Sequence, residues 1–382
     1  MNTHEDVFLN LVRNSLWDTK VEVPTDFQDW NLVMFLAESQ AMSTAVAKAL
    51  LDSPSILKQL SADCQSRMRN MLMSNVLMHS MANSTLQILV NTLRNSGLEC
   101  VLLKGQGLAT NYLYPELREC GDIDLYVGTE NYLKTYDILK RVVDKIDDSS
   151  ALNNGGKHFH AKLSEISIEV HQFSEVLHSS SFDHIYQRYA QEGLTQNLVP
   201  IEFGETEVLT PADNFNAFYV FHHLWNHFLS VGVGVRQLCD WAMLLHSRAS
   251  NMDKKYLRRI LTEMKLMGSW KTFGCIAVDI LGLPSEEFPF YDVKYTDKAL
   301  RVLDFILKDG DLGRETEFIR TPNKGYFHEK FCSLKYYVKR FMRLVALFPD
   351  HACRQLLHSI IRGLKLLFKD FILYLPAHRK HR

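Results

Sequence analysis

Gly121-Asp122-Ile123-Asp124-Leu125 is the stretch that decides the reading of this chain. On an extended strand alternate side chains share a face, so Asp122 and Asp124 point one way and Ile123 and Leu125 the other. Such a strand puts two carboxylates at a wet cleft while its aliphatic side enters a core. Two like charges so close need compensation, and a divalent cation supplies it. A solvent-facing edge whose acids serve solubility is the plainer alternative.

Two flanking segments extend the pattern. Downstream, Ser167-Ile168-Glu169-Val170-His171 again alternates, with Ile168 and Val170 on one face and Ser167, Glu169 and His171 on the other. If this strand neighbours the Asp strand, Glu169 completes a three-carboxylate magnesium site. Upstream, Leu103-Lys104-Gly105-Gln106-Gly107 sets a positive residue and two flexible positions between a strand and a helix. A turn of that kind can bring backbone donors toward a triphosphate. It is neither a P-loop nor a dinucleotide fingerprint, because GxxxxGK[ST] and GxGxxG are both missing. Arg118, four residues before Asp122, is a further candidate for phosphate charge, with an ordinary ion pair as its other role.

The rest of the chain builds around this unit. Spaced apolar residues in VFLNLVRNSLW, WNLVMFLAESQAMSTAVAKAL and MRNMLMSNVLMHSMANSTLQILVNTL predict helices over residues 1–91, broken at VEVPTDF and LDSPS. LECVLLKG and IDLYV read as strands, QGLATNYLY and 130–143 as helices, DKIDDSSALNNGGK as a polar connection, and HFHAKLS with ISIEVHQF as a hairpin or adjacent strands. This is a small mixed α/β unit at 92–205. Beyond it, LTPADNFNAFYVFHHLWNHFL opens a helical region over 206–330, and 331–382 forms a basic tail. The expected fold class is α+β, a small mixed-sheet core with amino-terminal and carboxyl-terminal helical regions.

Composition bounds the function. The 382 residues carry 43 Lys plus Arg against 44 Asp plus Glu, with 46% apolar residues, which suits a chain that buries a large core. No apolar run reaches the ~18–20 residues of a membrane span, and MNTHEDVF lacks the pattern of an export signal, so a cytoplasmic location is expected. Seven cysteines without a CxxC pair argue against a disulfide scaffold or a zinc ribbon. The near-neutral total hides eleven basic and two acidic residues after position 330, which leaves about −10 on the preceding part.

The ordered set Lys104-Gly105, Tyr114-Pro115, Arg118, Gly121-Asp122-Ile123-Asp124-Leu125 and Ile168-Glu169-Val170-His171 resembles the uncharacterised nucleotidyltransferase family within the DNA polymerase beta-like nucleotidyltransferase superfamily. The resemblance is strongest over 95–175 and extends through Arg236-Gln237-Leu238-Cys239-Asp240-Trp241. It implies Asp122, Asp124 and Glu169 as ligands of two magnesium ions, and Lys104, Gly105, Gln106, Gly107 and Arg118 around an NTP, ATP by default. The implied reaction moves a nucleoside monophosphate to an acceptor and releases pyrophosphate. The turn departs from the usual Gly-Ser form, having Lys-Gly-Gln-Gly, and the interval from Gly105 to Asp122 is long. The acceptor is left open among a small molecule, a protein, a polysaccharide and RNA.

The histidines and the tail carry competing readings. His158, His160 and His171 can contact phosphate, with surface or structural roles as the ordinary alternative. His222, His223 and His227 sit among aromatic residues that favour packing over a zinc site. Arg354, His358, Arg362, Lys365 and Lys369 share a helical face opposite Leu356, Leu357, Ile360, Ile361, Leu364, Phe368 and Phe371. That amphipathicity suits docking on the core, or contact of the tail with an anionic membrane at its inner face or with a partner. A catalytically degenerate nucleotide-binding regulator and a basic-tail protein or membrane adaptor therefore stand as alternatives to the enzyme.

Overall fold

The computed structural model describes residues 2–147, 156–177, 179–310, 335, 338–354, 356–357 and 360. Its centre is a seven-stranded mixed sheet flanked by amino-terminal and carboxyl-terminal helices, the α+β class expected. The strands are β1 (Val101–Leu102), β2 (Ile123–Tyr126), β3 (Lys145–Ile146), β4 (His158–Leu163), β5 (Ile166–His171), β6 (Val199–Phe203) and β7 (Thr206–Thr210), in the spatial order β3-β4-β5-β2-β1-β7-β6. β2 pairs in parallel with β5 and β1 in parallel with β7, while the other neighbours are antiparallel.

The sheet separates two cores. Leu102, Ile123, Leu125, Phe159, Ile168, Val170 and Val208 turn to one side, against Leu86, Leu89 and Leu93 of α5 (Ala62–Asn95) and Tyr132, Tyr136 and Leu139 of α7 (Gly128–Leu139). Val101 and Leu103 face the larger core on the other side. There the helices α1 (Thr3–Trp17), α2 (Trp30–Ser39), α3 (Ser43–Leu51) and α4 (Pro54–Leu57) share one apolar interior with the carboxyl-terminal helices. Those are α8 (Ser180–Gly193), α9 (Asp213–Ser230), α10 (Val235–Ser247), α11 (Lys254–Glu263), α12 (Met267–Cys275) and α13 (Thr296–Asp309), with the one-turn α6 (Gln106–Ala109) earlier in the chain. Trp225, Trp241 and Trp270 with Phe221, Phe228 and Phe273 fill the interior through edge and tilted ring contacts.

The apolar run at 30–51 is two helices, because tertiary contacts override its local pattern. Ala41 turns at φ 52°. The Gln40 side chain is fully buried, accepts from the Val235 amide at 3.0 Å and reaches the carbonyls of Ile306 and Leu307 at 3.3 Å. The Glu119 carboxylate takes the amides of Ser43 at 2.5 Å and Thr44 at 3.3 Å, capping α3 from outside the helix. Helices from both ends of the chain are thereby tied to the segment that leads into Asp122.

Three strands and a helix differ from the sequence reading, and the first of them, β3, lies within the stretch read as a polar connection. The hairpin β6–β7 has alternating burial around Gly204, at φ 59°, and adds the parallel neighbour of β1. QGLATNYLY holds only the single turn α6 before a 3-10 turn at Pro115–Leu117. Within the tail, residues 338–345 and 349–354 are helical. Leu344, Leu347, Phe348 and Ala352 enter the larger core, and Arg340 bonds the Phe228 and Leu229 carbonyls and Asp309. The remainder of the amphipathic face proposed for 354–372 lies largely outside the described residues. No helix among the described residues is long and apolar enough to cross a membrane.

Candidate active site

The parallel pairing of β2 with β5 sets Asp124 directly beside Glu169 and Tyr126 beside His171. Antiparallel β4 adds His160 opposite Glu169 and His158 opposite His171. Because each strand turns its aliphatic residues to the α5–α7 core, the polar residues of three adjacent strands gather on the opposite face. Asp122 stands exposed one position before β2.

Asp124 is the buried centre, 5% exposed. Its Oδ1 accepts from His171 Nε2 at 3.0 Å and lies 3.1 Å from Lys104 Nζ. Burial by itself would raise this carboxyl, but the Lys104 charge and the His171 hydrogen bond override it and hold the group well below the usual carboxylate range. Glu169 places Oε2 3.3 Å from His171 Nε2 and Oε1 3.8 Å from His158 Nε2 and 3.5 Å from His160 Nδ1. Burial again opposes its ionisation, and the His171 hydrogen bond lowers it. Asp122 moves the other way: partial desolvation, then the charges of Glu169 and Asp124, raise it above its ordinary value. The three carboxylates thus concentrate negative charge that Lys104 only partly offsets.

Gly105 makes the approach of the Lys104 turn possible. Its φ of 55° is a left-handed conformation, and a Cβ there would stand 3.0 Å from the Asp122 carbonyl oxygen. A Cβ at Gly107 would stand 3.3 Å from the side chains of both Leu102 and Thr210. Gln106 turns away into a buried cluster, donating to Asn83 Oδ1 at 2.6 Å and lying 3.4 Å from His79 Nδ1. Arg118 is likewise engaged elsewhere. Its Nε and Nη2 donate to the two oxygens of Asp240 at 2.7 and 2.8 Å, and Tyr112 Oη donates to the same carboxylate at 2.7 Å. Arg118 and Asp240 are 7% and 4% exposed, so this bidentate pair anchors the loop before Asp122 onto α10.

Helix α9 closes the polar face. Half-buried His223 feels both Lys104 and Asp124, and burial followed by the Lys104 charge pushes its imidazole well below its ordinary value. His222 is buried, accepts from Asn226 Nδ2 at 3.2 Å, and is pushed down to about 4 by burial. Lys157 pairs with Glu175 at 3.3 Å beside it. Sequence reasoning passes over Lys157 and Glu175, which the β4–β5 pairing brings together, and the site-facing side of His223, which α9 brings near Lys104 and Asp124.

Donor chemistry fits a cation. Three carboxylates offer the hard oxygens that suit magnesium, and among the described residues the ligand atoms of His158, Glu169 and His171 all lie within 4.8 Å of one another. Among the described residues this is the one group of three such side chains close enough together to hold a metal ion, and it includes Glu169. The family model described as uncharacterised nucleotidyltransferase matches residues 26–278, a span holding every residue of the site. No curated protein and no solved structure matches the chain. The match covers well over half of the 382 residues, and the chain belongs to the uncharacterised nucleotidyltransferase family.

Proposed function

We propose that the protein transfers a nucleoside monophosphate from an NTP to an acceptor nucleophile in a magnesium-dependent reaction that releases pyrophosphate. The observation that carries this reading is the side-by-side register of Asp124 and Glu169 on parallel strands, with Asp122 two residues earlier. Those three residues would hold the metal, which when bound supplies charge neutralisation for the triphosphate and activation of the acceptor oxygen. The upward shift of Asp122 beside two other carboxylates supports that assignment, because a cation relieves their repulsion.

The protein groups divide the remaining work. His171 donates to Asp124 and fixes the orientation of its carboxylate. Lys104 is the nearest ammonium, and its 3.1 Å contact with Asp124 lets it exchange that partner for a phosphate oxygen. The Gly105 turn keeps the backbone close beside Asp122. As the acceptor oxygen bonds to the α-phosphorus, the bond from that phosphorus to the bridging oxygen of the β-phosphate breaks. The pair of electrons leaves with pyrophosphate, and the acceptor proton departs to solvent.

The experiment offers the four α-phosphate-labelled NTPs with magnesium and fractionated cell extract to the parent protein and to the Asp122→Asn, Asp124→Asn double variant. Label transferred only by the parent supports the reading and reveals the fraction containing the acceptor. Nucleotide bound by the parent with no label transferred from any NTP would instead favour a nucleotide-binding regulator.

A further inference from the structure

The histidines on β4 and β5 outnumber what a magnesium site uses, and magnesium prefers oxygen ligands. His158 and His160 project from the same face of β4 with their Nε2 atoms 3.2 Å apart. Glu169 Oε1 lies 3.8 Å from His158 Nε2, and Glu169 Oε2 lies 3.3 Å from His171 Nε2. Ligands about 2.0–2.1 Å from a tetrahedral ion stand about 3.4 Å from one another, so these spacings approximate the edges of such a polyhedron. His171 is 1% exposed, and the Nδ1 atoms of His158 and His171 have no hydrogen-bond partner. His171 Nε2 now donates to Asp124 Oδ1 at 3.0 Å, so a cation held between this nitrogen and Glu169 takes the place of that proton and of its bond to Asp124. The His-x-His pair on one strand and the Glu-x-His pair on its neighbour are held in register by β4–β5 pairing.

We propose that His158, Glu169 and His171, with His160 beside them on β4, form a binding site for a borderline divalent cation of the zinc class, separate in its preference from the magnesium carboxylates but sharing Glu169 with them. Imidazole nitrogen favours zinc over magnesium, and the ion needs no nucleotide to complete its coordination. Occupancy draws Glu169 toward β4 and away from Asp122 and Asp124. Zinc is consequently a regulator that withdraws one of the three carboxylates from nucleotide chemistry. This inference rests on the proposed function only through that shared glutamate.

The test reads binding alone, so failure of nucleotidyl transfer leaves its result unchanged. Zn2+ is titrated against a chelating dye, and bound metal is measured after gel filtration, for the parent, His158→Ala/His160→Ala, Glu169→Gln and Asp122→Asn proteins, each checked for folding by circular dichroism. The expected result is one Zn2+ per parent chain. Affinity should fall at least about tenfold in the histidine and Glu169 variants, since loss of even an outer partner costs that much, and should persist in Asp122→Asn. Equal binding by all four proteins, or no saturable binding by the parent, overturns the site; binding retained in Glu169→Gln overturns the sharing. Should a variant fail to fold, the parent with Co2+ decides: an intense visible spectrum of tetrahedral cobalt supports the site, and a pale octahedral spectrum refutes it.

Discussion

Replacing Asp240 by alanine separates an architectural Arg118 from a phosphate-binding one. The substitution removes both charge-assisted bonds to the buried guanidinium and the acceptor of Tyr112 Oη. Breaking a buried ion pair by deleting one partner costs about 3–5 kcal/mol, and a buried hydroxyl without a partner adds about 1–3 kcal/mol. The expected loss is therefore about 4–8 kcal/mol, read as a lower midpoint in urea unfolding with an unchanged slope. Arg118→Met, Asp240→Leu restores apolar packing without a stranded charge and should regain most of that loss. The reasoning is refuted if Asp240→Ala stays within about 0.5 kcal/mol of the parent, the ordinary range for a surface change. It is refuted equally if Arg118→Lys weakens nucleotide binding while leaving stability intact.

Two further outcomes follow from the same contacts. Gly105→Ala forces a Cβ into a left-handed position 3.0 Å from the Asp122 carbonyl oxygen, and should cost about 1–2 kcal/mol in thermal or chemical unfolding and shift the Lys104 turn. His222 is held neutral in the folded protein, with its pKa pushed down to about 4 by burial. Unfolding restores a value near 6.5, so between about pH 6.5 and 4 the unfolded chain binds the extra proton and stability falls as pH falls. That window is worth up to about 3 kcal/mol for this residue, and His222→Gln should flatten the pH dependence of the unfolding midpoint within it.

The carboxylate face was legible because strands have a fixed period of two. Asp122-Ile123-Asp124 and Ile168-Glu169-Val170 each announce one polar and one apolar face, and the structure pairs Asp124 with Glu169. Their adjacency required the sheet order, which sequence spacing does not contain. Gly204 between the alternating segments Val199–Phe203 and Thr206–Thr210 was a hairpin signal that the aromatic helix beginning at Asp213 overshadowed. Arg118 and Gln106 lie near the decisive motif along the chain, yet their partners are Asp240, His79 and Asn83. A long-range ion pair of this kind has no local pattern. The break at Gln40 to Met42 was hidden for the same reason, since the groups that end α2 and cap α3 come from Val235 and Glu119.

The central claim is that Asp122, Asp124 and Glu169 support transfer of the α-phosphoryl nucleotide. It is tested most directly by following α-labelled and γ-labelled ATP in parallel, with magnesium and the acceptor-containing fraction. The account predicts α label on the acceptor, γ label in pyrophosphate in equal amount, and loss of both in Asp122→Asn and Glu169→Gln. Appearance of γ label on the acceptor, or undiminished α transfer by those variants, would contradict it.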